Sequence, residues 1–325
     1  MIKKSSIRKG LRCPIEKSEM QTFFSMVDYR NNLFTSNDPK KIMEFYDGFE
    51  NREQLIQWMK ERPKGVPYIH EVEGDKDIIV VILTADYNGK YATECRNNIF
   101  KGIHMIFVES GGENDFYFNI AHYMNAGMMK ALDYNPKWIL YSGDDMYKID
   151  EVSKLVNDLK NLDEKETDAV FTNETIYHSR RDRVVRRNIF ESLNQFRYSK
   201  SLGFKVNRLK RKFSVRYSIV RYRKINHILF SGMDFVSFID FAILSANFVK
   251  RRNGNIFDET FINNMEDSDL SLSVMLTKCR VHKIGYRIGD FIGSSLGTGI
   301  DRSSRDLASA VYFTYKYESI LERII

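Results

Sequence analysis

The chain has only three cysteines in 325 residues, and they stand far apart, at Cys13, Cys95 and Cys279. It has no Cys-x-x-Cys pair and no zinc spacing with histidine, which argues against a structural metal cluster and for a reducing compartment. Long apolar runs are missing too. No stretch of about 18 uncharged apolar residues occurs, so no membrane-spanning helix is expected. The nearest candidate, Ile225–Val249, is interrupted by Asp234 and Asp240. The basic start, Met1 to Arg12, lacks the apolar core of a secretory signal. Repeats, low-complexity tracts and a Walker phosphate loop are absent as well. These absences point to a cytoplasmic globular protein, long enough to bury a proper core as one large domain or a domain with an appendage.

The organisation changes once along the chain. Residues 1–76 read as a mainly helical N-terminal extension. In Asn51–Arg62 the apolar residues 55, 56, 58 and 59 share one helical face, and Pro63 and Pro67 end the helix. The main domain is expected over 77–325. Asp77–Thr84 is a continuous β-branched run, the pattern of a strand buried on both faces. His104–Glu109 is a second such strand, Trp138–Tyr141 a third and Asp168–Thr172 a fourth. Helical patterns lie between them, near 90–100, at 116–133 and at 150–160. Strands alternating with helices predict an α/β fold with a mostly parallel sheet and right-handed crossovers. Further strands are expected within 235–249 and at Val281–Arg287, and helices from Phe261 and over 304–323.

Residues 137–146, Lys-Trp-Ile-Leu-Tyr-Ser-Gly-Asp-Asp-Met, carry the strongest chemical signal. An apolar strand stops at two adjacent acids, Asp144 and Asp145. Neighbouring carboxylates repel unless a cation or donors neutralise them. A divalent metal carrying a nucleotide diphosphate would do so, because its ligands are hard oxygens. The competing reading is a turn in which one acid caps the next helix. Two other strands also end in polar residues, Thr84 to Asn88 and Glu109-Ser110. In a parallel sheet all three ends lie on one edge, where open α/β folds bind ligands. A second acidic cluster, Glu266-Asp267-Ser268-Asp269, comes over a hundred residues later. It suits either a general base or the acidic first turn of a helix.

The order of these motifs resembles the family 2 glycosyltransferases, whose nucleotide-sugar-binding fold is GT-A. Four blocks carry the resemblance: Leu83–Asn88, Phe107–Gly112, Asn119–Leu132 with the acids of 138–145, and Phe257–Glu259 through Glu266–Asp269. It covers residues 77–179 and 232–290 and leaves out the N-terminal extension and the basic insertion. The resemblance implies a GT-A-type α/β fold and transfer of a sugar from a nucleotide-diphosphate donor to an acceptor hydroxyl, with inversion. Asp145 matches the metal-binding acid that ends the family's Asp-x-Asp motif, and Asp144 its middle position. Gly143 stands where the family usually has an acid or amide. Asp267, beside Glu266, matches the catalytic base. Thr84, Asp86, Asn88, Glu109 and Asn125 fall where the family contacts the nucleotide and its ribose, with Mg²⁺ or Mn²⁺ as cofactor. His104 and His122 are read as structural or solvent-facing.

The net charge of +7 is a local feature. Between Arg180 and Lys224 there are 16 lysines and arginines against two acids, so the rest of the chain is net negative. Aromatic residues are interleaved there, among them Phe190, Tyr198, Phe213 and Tyr222. Insertion 180–226 can rest on an anionic membrane face and present a lipid-linked acceptor, which makes the protein peripheral at the membrane. It can also bind nucleic acid, the less favoured partner, or be a solvated insertion. The glycine-rich stretch 289–299, with Ser294, Thr298 and Arg302, suits a phosphate lid or a plain linker. Two rival functions share these features: a nucleotidyltransferase acting on sugar phosphates, and a non-catalytic nucleic-acid-binding protein.

Overall fold

From Ile78 to Ile82 every side chain is apolar, and successive side chains of a strand point to opposite faces. In the computed structural model, which describes residues 29–110, 116–172, 208–209, 211–214, 241–277, 279–291 and 300–322, this run lies in strand β2 (Asp75–Thr84). Ile79 and Val81 enter one hydrophobic core, and Ile78, Val80 and Ile82 enter another on the opposite face. Both faces are therefore covered, as the unbroken apolar run requires.

Helix α1 (Pro39–Asp47) and helix α2 (Arg52–Glu61) precede the sheet. Arg62 has ψ 127°, the extended conformation a following proline imposes, and the helix stops there. Strand β1 (Tyr68–Val72) comes next, within the stretch read from sequence as a mainly helical extension. After β2 come helix α3 (Lys90–Glu94), a π-helical turn (Cys95–Ile99), strand β3 (Ile103–Glu109) and helix α4 (Ile120–Leu132). Strand β4 (Trp138–Gly143), strand β5 (Met146–Lys148), helix α5 (Val152–Lys160) and strand β6 (Ala169–Thr172) complete the first half. The second half holds strand β7 (Phe241–Ser245), helices α6 (Ala246–Arg251) and α7 (Glu266–Leu276), strands β8 (Val281–Ile284) and β9 (Ile288–Asp290), and helix α8 (Ile300–Glu322).

The central sheet has seven strands in the order β1-β3-β2-β4-β7-β6-β8. Strands β3, β2 and β4 are mutually parallel, and β6 and β8 run with them. Strands β1 and β7 run the other way. The fold is thus α/β, with a mixed, mostly parallel sheet flanked by helices. Helices α4 and α6 cover one face, and α3, the π turn and α5 the other. Gly127 lets α4 lie close to the sheet, since a Cβ there would overlap Val81 and Val108. A third core joins α1 and α2 to α7 and α8, reinforced by the two-pronged Arg52–Glu318 pair at 2.9 and 2.6 Å.

Three expectations shift in detail. The strand expected over 281–287 ends at Ile284 as β8 in the main sheet, and β9, beyond the expected span, pairs with β5 in a separate two-stranded ribbon. The helix expected from Phe261 begins at Glu266, because Asn263 and Met265 take left-handed φ values of 54° and 68°. Of the basic segment, residues 208–209 and 211–214 are described. Leu209 and Phe213 are buried against Tyr46, and Arg208 pairs with Asp47 at 2.7 Å. The rest of that segment, and residues 292–299 of the glycine-rich stretch, lie outside the described residues. Among the described residues no helix is long and apolar enough to cross a membrane.

Candidate functional site

The parallel run of β3, β2 and β4 brings their carboxyl ends to one edge, as the strand order predicts. Thr84 stands in register with Glu109, and Leu83 with Gly143. The chain turns at Asp144 and Asp145, both less than a tenth exposed. The Thr84 hydroxyl donates to Asp144 Oδ2 at 2.6 Å. Burial pushes the Asp144 carboxyl up to about 6 against the pull of that hydrogen bond, and the charge on Asp145 adds to the rise. Burial, and after it the charges of the same two acids, push the Cys95 thiol up, and its Sγ lies 3.4 Å from the Asp144 carbonyl. A rim that holds a carboxylate against its preference for water is electrostatically poised for a cation.

Gly143 acquires a reason here. A Cβ at that position would lie 2.9 Å from Asp145 Oδ1, so the missing side chain leaves room for the Asp145 carboxylate. Among the described residues no group of three or more His, Cys, Asp or Glu side chains is arranged to hold a metal. Two hard carboxylates side by side nevertheless fit a Mg²⁺-type ion that completes its shell with phosphate oxygens and water.

The loop after β2 is ordered from within. Asp86 Oδ1 accepts from the Asn88 N–H at 2.9 Å, while both residues are exposed. Tyr87 is held on every side. The His70 ring of β1 stacks on it at 4.1 Å and 7°, the Arg96 guanidinium lies 4.2 Å from its ring centroid, and Arg96 Nη1 donates to its carbonyl. Glu109 closes the assembly by accepting from the Tyr87 N–H at 2.9 Å and pairing with His70 Nε2 at 2.7 Å. Burial works against the Glu109 charge, but these partners hold its carboxyl below the usual range. Glu109, read from sequence as a ribose or base contact, thus serves first as the brace of the 84–89 loop.

Asn125 is likewise occupied. Its Oδ1 accepts from the Ile256 and Phe257 N–H groups, and its Nδ2 donates to the Phe257 carbonyl and Glu259 Oε1, all at 2.9–3.0 Å. These bonds use the whole capacity of a carboxamide, so Asn125 positions the 256–259 loop. Asn119 caps α4 by accepting from the His122 N–H and also donates to the Glu259 and Phe261 carbonyls. Because α4 follows β3, its first turns start from the strand-end rim. Asn119, Asn125 and the Ile120 N–H therefore fasten residues 256–263, which precede the second acidic cluster, to α4.

Glu266 and Asp267 sit in the first turn of α7, Glu266 buried and Asp267 half-buried. Acids there are favoured by the helix dipole. Asp269, in the same first turn, and Asp258 share one cation: Lys316 Nζ reaches each at 2.7 Å. Tyr312 donates to Asp258 at 2.8 Å and Tyr317 to Asp269 at 2.6 Å. Burial raises the Asp269 carboxyl in spite of Lys316, whereas Lys316 outweighs burial at Asp258 and lowers it. His104 is fully buried against Glu71, and His122 pairs with Glu259 at 3.0 Å, both structural placements.

Sequence reasoning missed His70, Arg96 and Lys316. Each acts through a tertiary contact and lies in no recognisable motif. No protein-family model matches the chain, and a search of curated protein sequences finds no significant match.

Proposed function

We propose that the protein is a metal-assisted glycosyltransferase of GT-A type, moving a sugar from a nucleotide-diphosphate donor to an acceptor hydroxyl of a glycan or lipid-linked acceptor with inversion. The observation that carries this reading is the strand-end rim, where Thr84 and the buried, mutually repelling Asp144 and Asp145 meet the ordered 84–89 loop. Ligands bind at this edge in open α/β sheets. The resemblance of the four motif blocks to family 2 glycosyltransferases supplies the reaction.

In this reading Asp145 and Asp144 hold a Mg²⁺ or Mn²⁺ ion, which when bound neutralises charge on the departing diphosphate. Asp86 and Asn88 face the nucleotide from a loop kept in shape by Glu109, His70 and Arg96. Thr84 fixes the Asp144 carboxylate. Asp267 takes the proton of the acceptor hydroxyl, an effect worth roughly 10²–10⁴-fold. Asn125 and Lys316 keep the segments around it in place.

The test is product identity. The protein is incubated with UDP-, GDP-, CDP- and dTDP-sugars, and separately with nucleoside triphosphates and sugar phosphates, in Mn²⁺. Release of a nucleoside diphosphate, lost in Asp145→Asn, is expected. Pyrophosphate release from a triphosphate would assign the rim to nucleotidyl transfer instead.

A further inference from the structure

An exposed phenylalanine whose backbone is bonded to the acidic rim needs a reason, because its ring faces water without benefit. Phe291 is 46% exposed, one of the large apolar side chains open to solvent among the described residues. Its position follows from the β5–β9 ribbon. Tyr147 stands opposite Gly289 in the register, and a Cβ on Gly289 would overlap the Tyr147 ring, so the ring lies across the bare glycine. Phe291 is two residues beyond Gly289, hence on the same ribbon face, and its ring centroid is 4.9 Å from that of Tyr147. The Tyr91 ring of α3 also lies near Phe291, centroid to centroid 6.2 Å. Met146 and Ile288, which precede Tyr147 and Gly289 in sequence, are buried in the core. The Phe291 N–H donates to the Asp145 carbonyl at 2.8 Å, which moors this aromatic surface to the acidic rim.

We propose that Phe291, Tyr147 and Tyr91 form a stacking platform for a pyranose ring beside Asp145. A pyranose matches both halves of the surface. Its axial C–H face packs on aromatic rings, and its hydroxyls reach the adjacent carboxylates. A nucleobase brings a flat face but no hydroxyls for the acids, and both faces of Tyr87, the aromatic residue of the 84–89 loop, are already covered. The inference rests on the transferase reading, under which the ring belongs either to the donor sugar or to the acceptor.

Saturation-transfer NMR on the full chain separates these sources. One arm uses methyl glycosides of glucose, galactose, mannose and N-acetylglucosamine; the other uses the corresponding UDP- and GDP-sugars with Mg²⁺. Saturation on ring C–H protons of at least one sugar is expected, in the first arm for an acceptor site and only in the second for a donor site. Phe291→Ala should weaken that sugar's binding about fivefold or more, and Phe291→Trp should preserve it. Unaltered melting of both variants shows that they fold. Three results overturn the platform: no sugar signal in either arm, a sugar signal unchanged in Phe291→Ala, or saturation confined to nucleobase protons. Mg²⁺-dependent binding of the free nucleoside diphosphates is measured in parallel. If diphosphates bind and sugars make no contact, the platform fails and the transferase reading stands. If sugars stack and no nucleotide binds, the transferase reading fails and a carbohydrate site remains.

Discussion

Replacing Asp144 by asparagine should stabilise the fold at neutral pH, an unusual outcome for a buried polar residue with a good hydrogen bond. The folded carboxyl titrates at about 6 against 3.8 for an ordinary aspartate, raised first by burial and further by Asp145. A rise from 3.8 to about 6 corresponds to about 3 kcal/mol against the ionised form. Because the shift is upward, the cost is absent below the unfolded value, grows between pH 3.8 and about 6, and is complete above that. Asparagine keeps the shape and can still accept from Thr84, but it adds N–H donors, and one left unpaired returns about 1 kcal/mol. The net gain at pH 8 is therefore about 2 kcal/mol. At pH 4 the wild-type carboxyl is mostly protonated in the fold, and the gain should vanish. Urea unfolding of both proteins in EDTA, across pH 4 to 8, measures it. A variant less stable than wild type at pH 8, or a difference independent of pH, would refute the electrostatic account of the rim.

Other substitutions probe the supports. Gly127→Val drives a side chain into Val81 and Val108 and should destabilise by about 1–3 kcal/mol or more in denaturant melts. Lys316→Met leaves the buried Asp269 and the half-buried Asp258 without their shared cation and should cost about 3 kcal/mol at pH 7; the loss should shrink on acidification, which a pH series of melts reads out. Asp267→Asn should keep nucleotide binding and lose sugar transfer, and unimpaired turnover would remove it as the base. Asn125→Leu should loosen the 256–259 loop, seen as faster amide exchange at Ile256 and Phe257, whose N–H groups it accepts.

The parts of the fold legible in the sequence are those with local causes. Strands β2, β3 and β4 announce themselves because burial on both faces demands unbroken apolar runs, and their shared direction places Thr84, Glu109 and Asp144–Asp145 on one edge. Strand β1 escapes because it is an edge strand: His70 and Glu71 break the apolar pattern, and its conformation comes from pairing with β3. The start of α7 escapes because Asn263 leaves the helical path while its side-chain Oδ1 accepts from the Ile120 N–H, a contact 143 residues away in sequence. In the site, residue type suggested ligands where geometry gives braces. Glu109 and Asn125 look available in sequence, but distant backbone N–H groups already engage them. The aromatic face of the ribbon was equally hidden, since Tyr147 and Phe291 become neighbours only when β5 and β9 pair.

The central claim is that the Asp144–Asp145 rim binds a metal-chelated nucleotide. Thermal shift of the wild type and Asp145→Asn with UDP, GDP, CDP or dTDP, each in Mn²⁺, Mg²⁺ or EDTA, tests it most directly. A nucleotide at about a hundred times its dissociation constant adds about 2.7 kcal/mol of stability. The account predicts a rise in melting temperature for at least one nucleotide, present with metal, abolished by EDTA and lost in Asp145→Asn. A flat response across the panel, or a rise indifferent to both metal and Asp145, would contradict it.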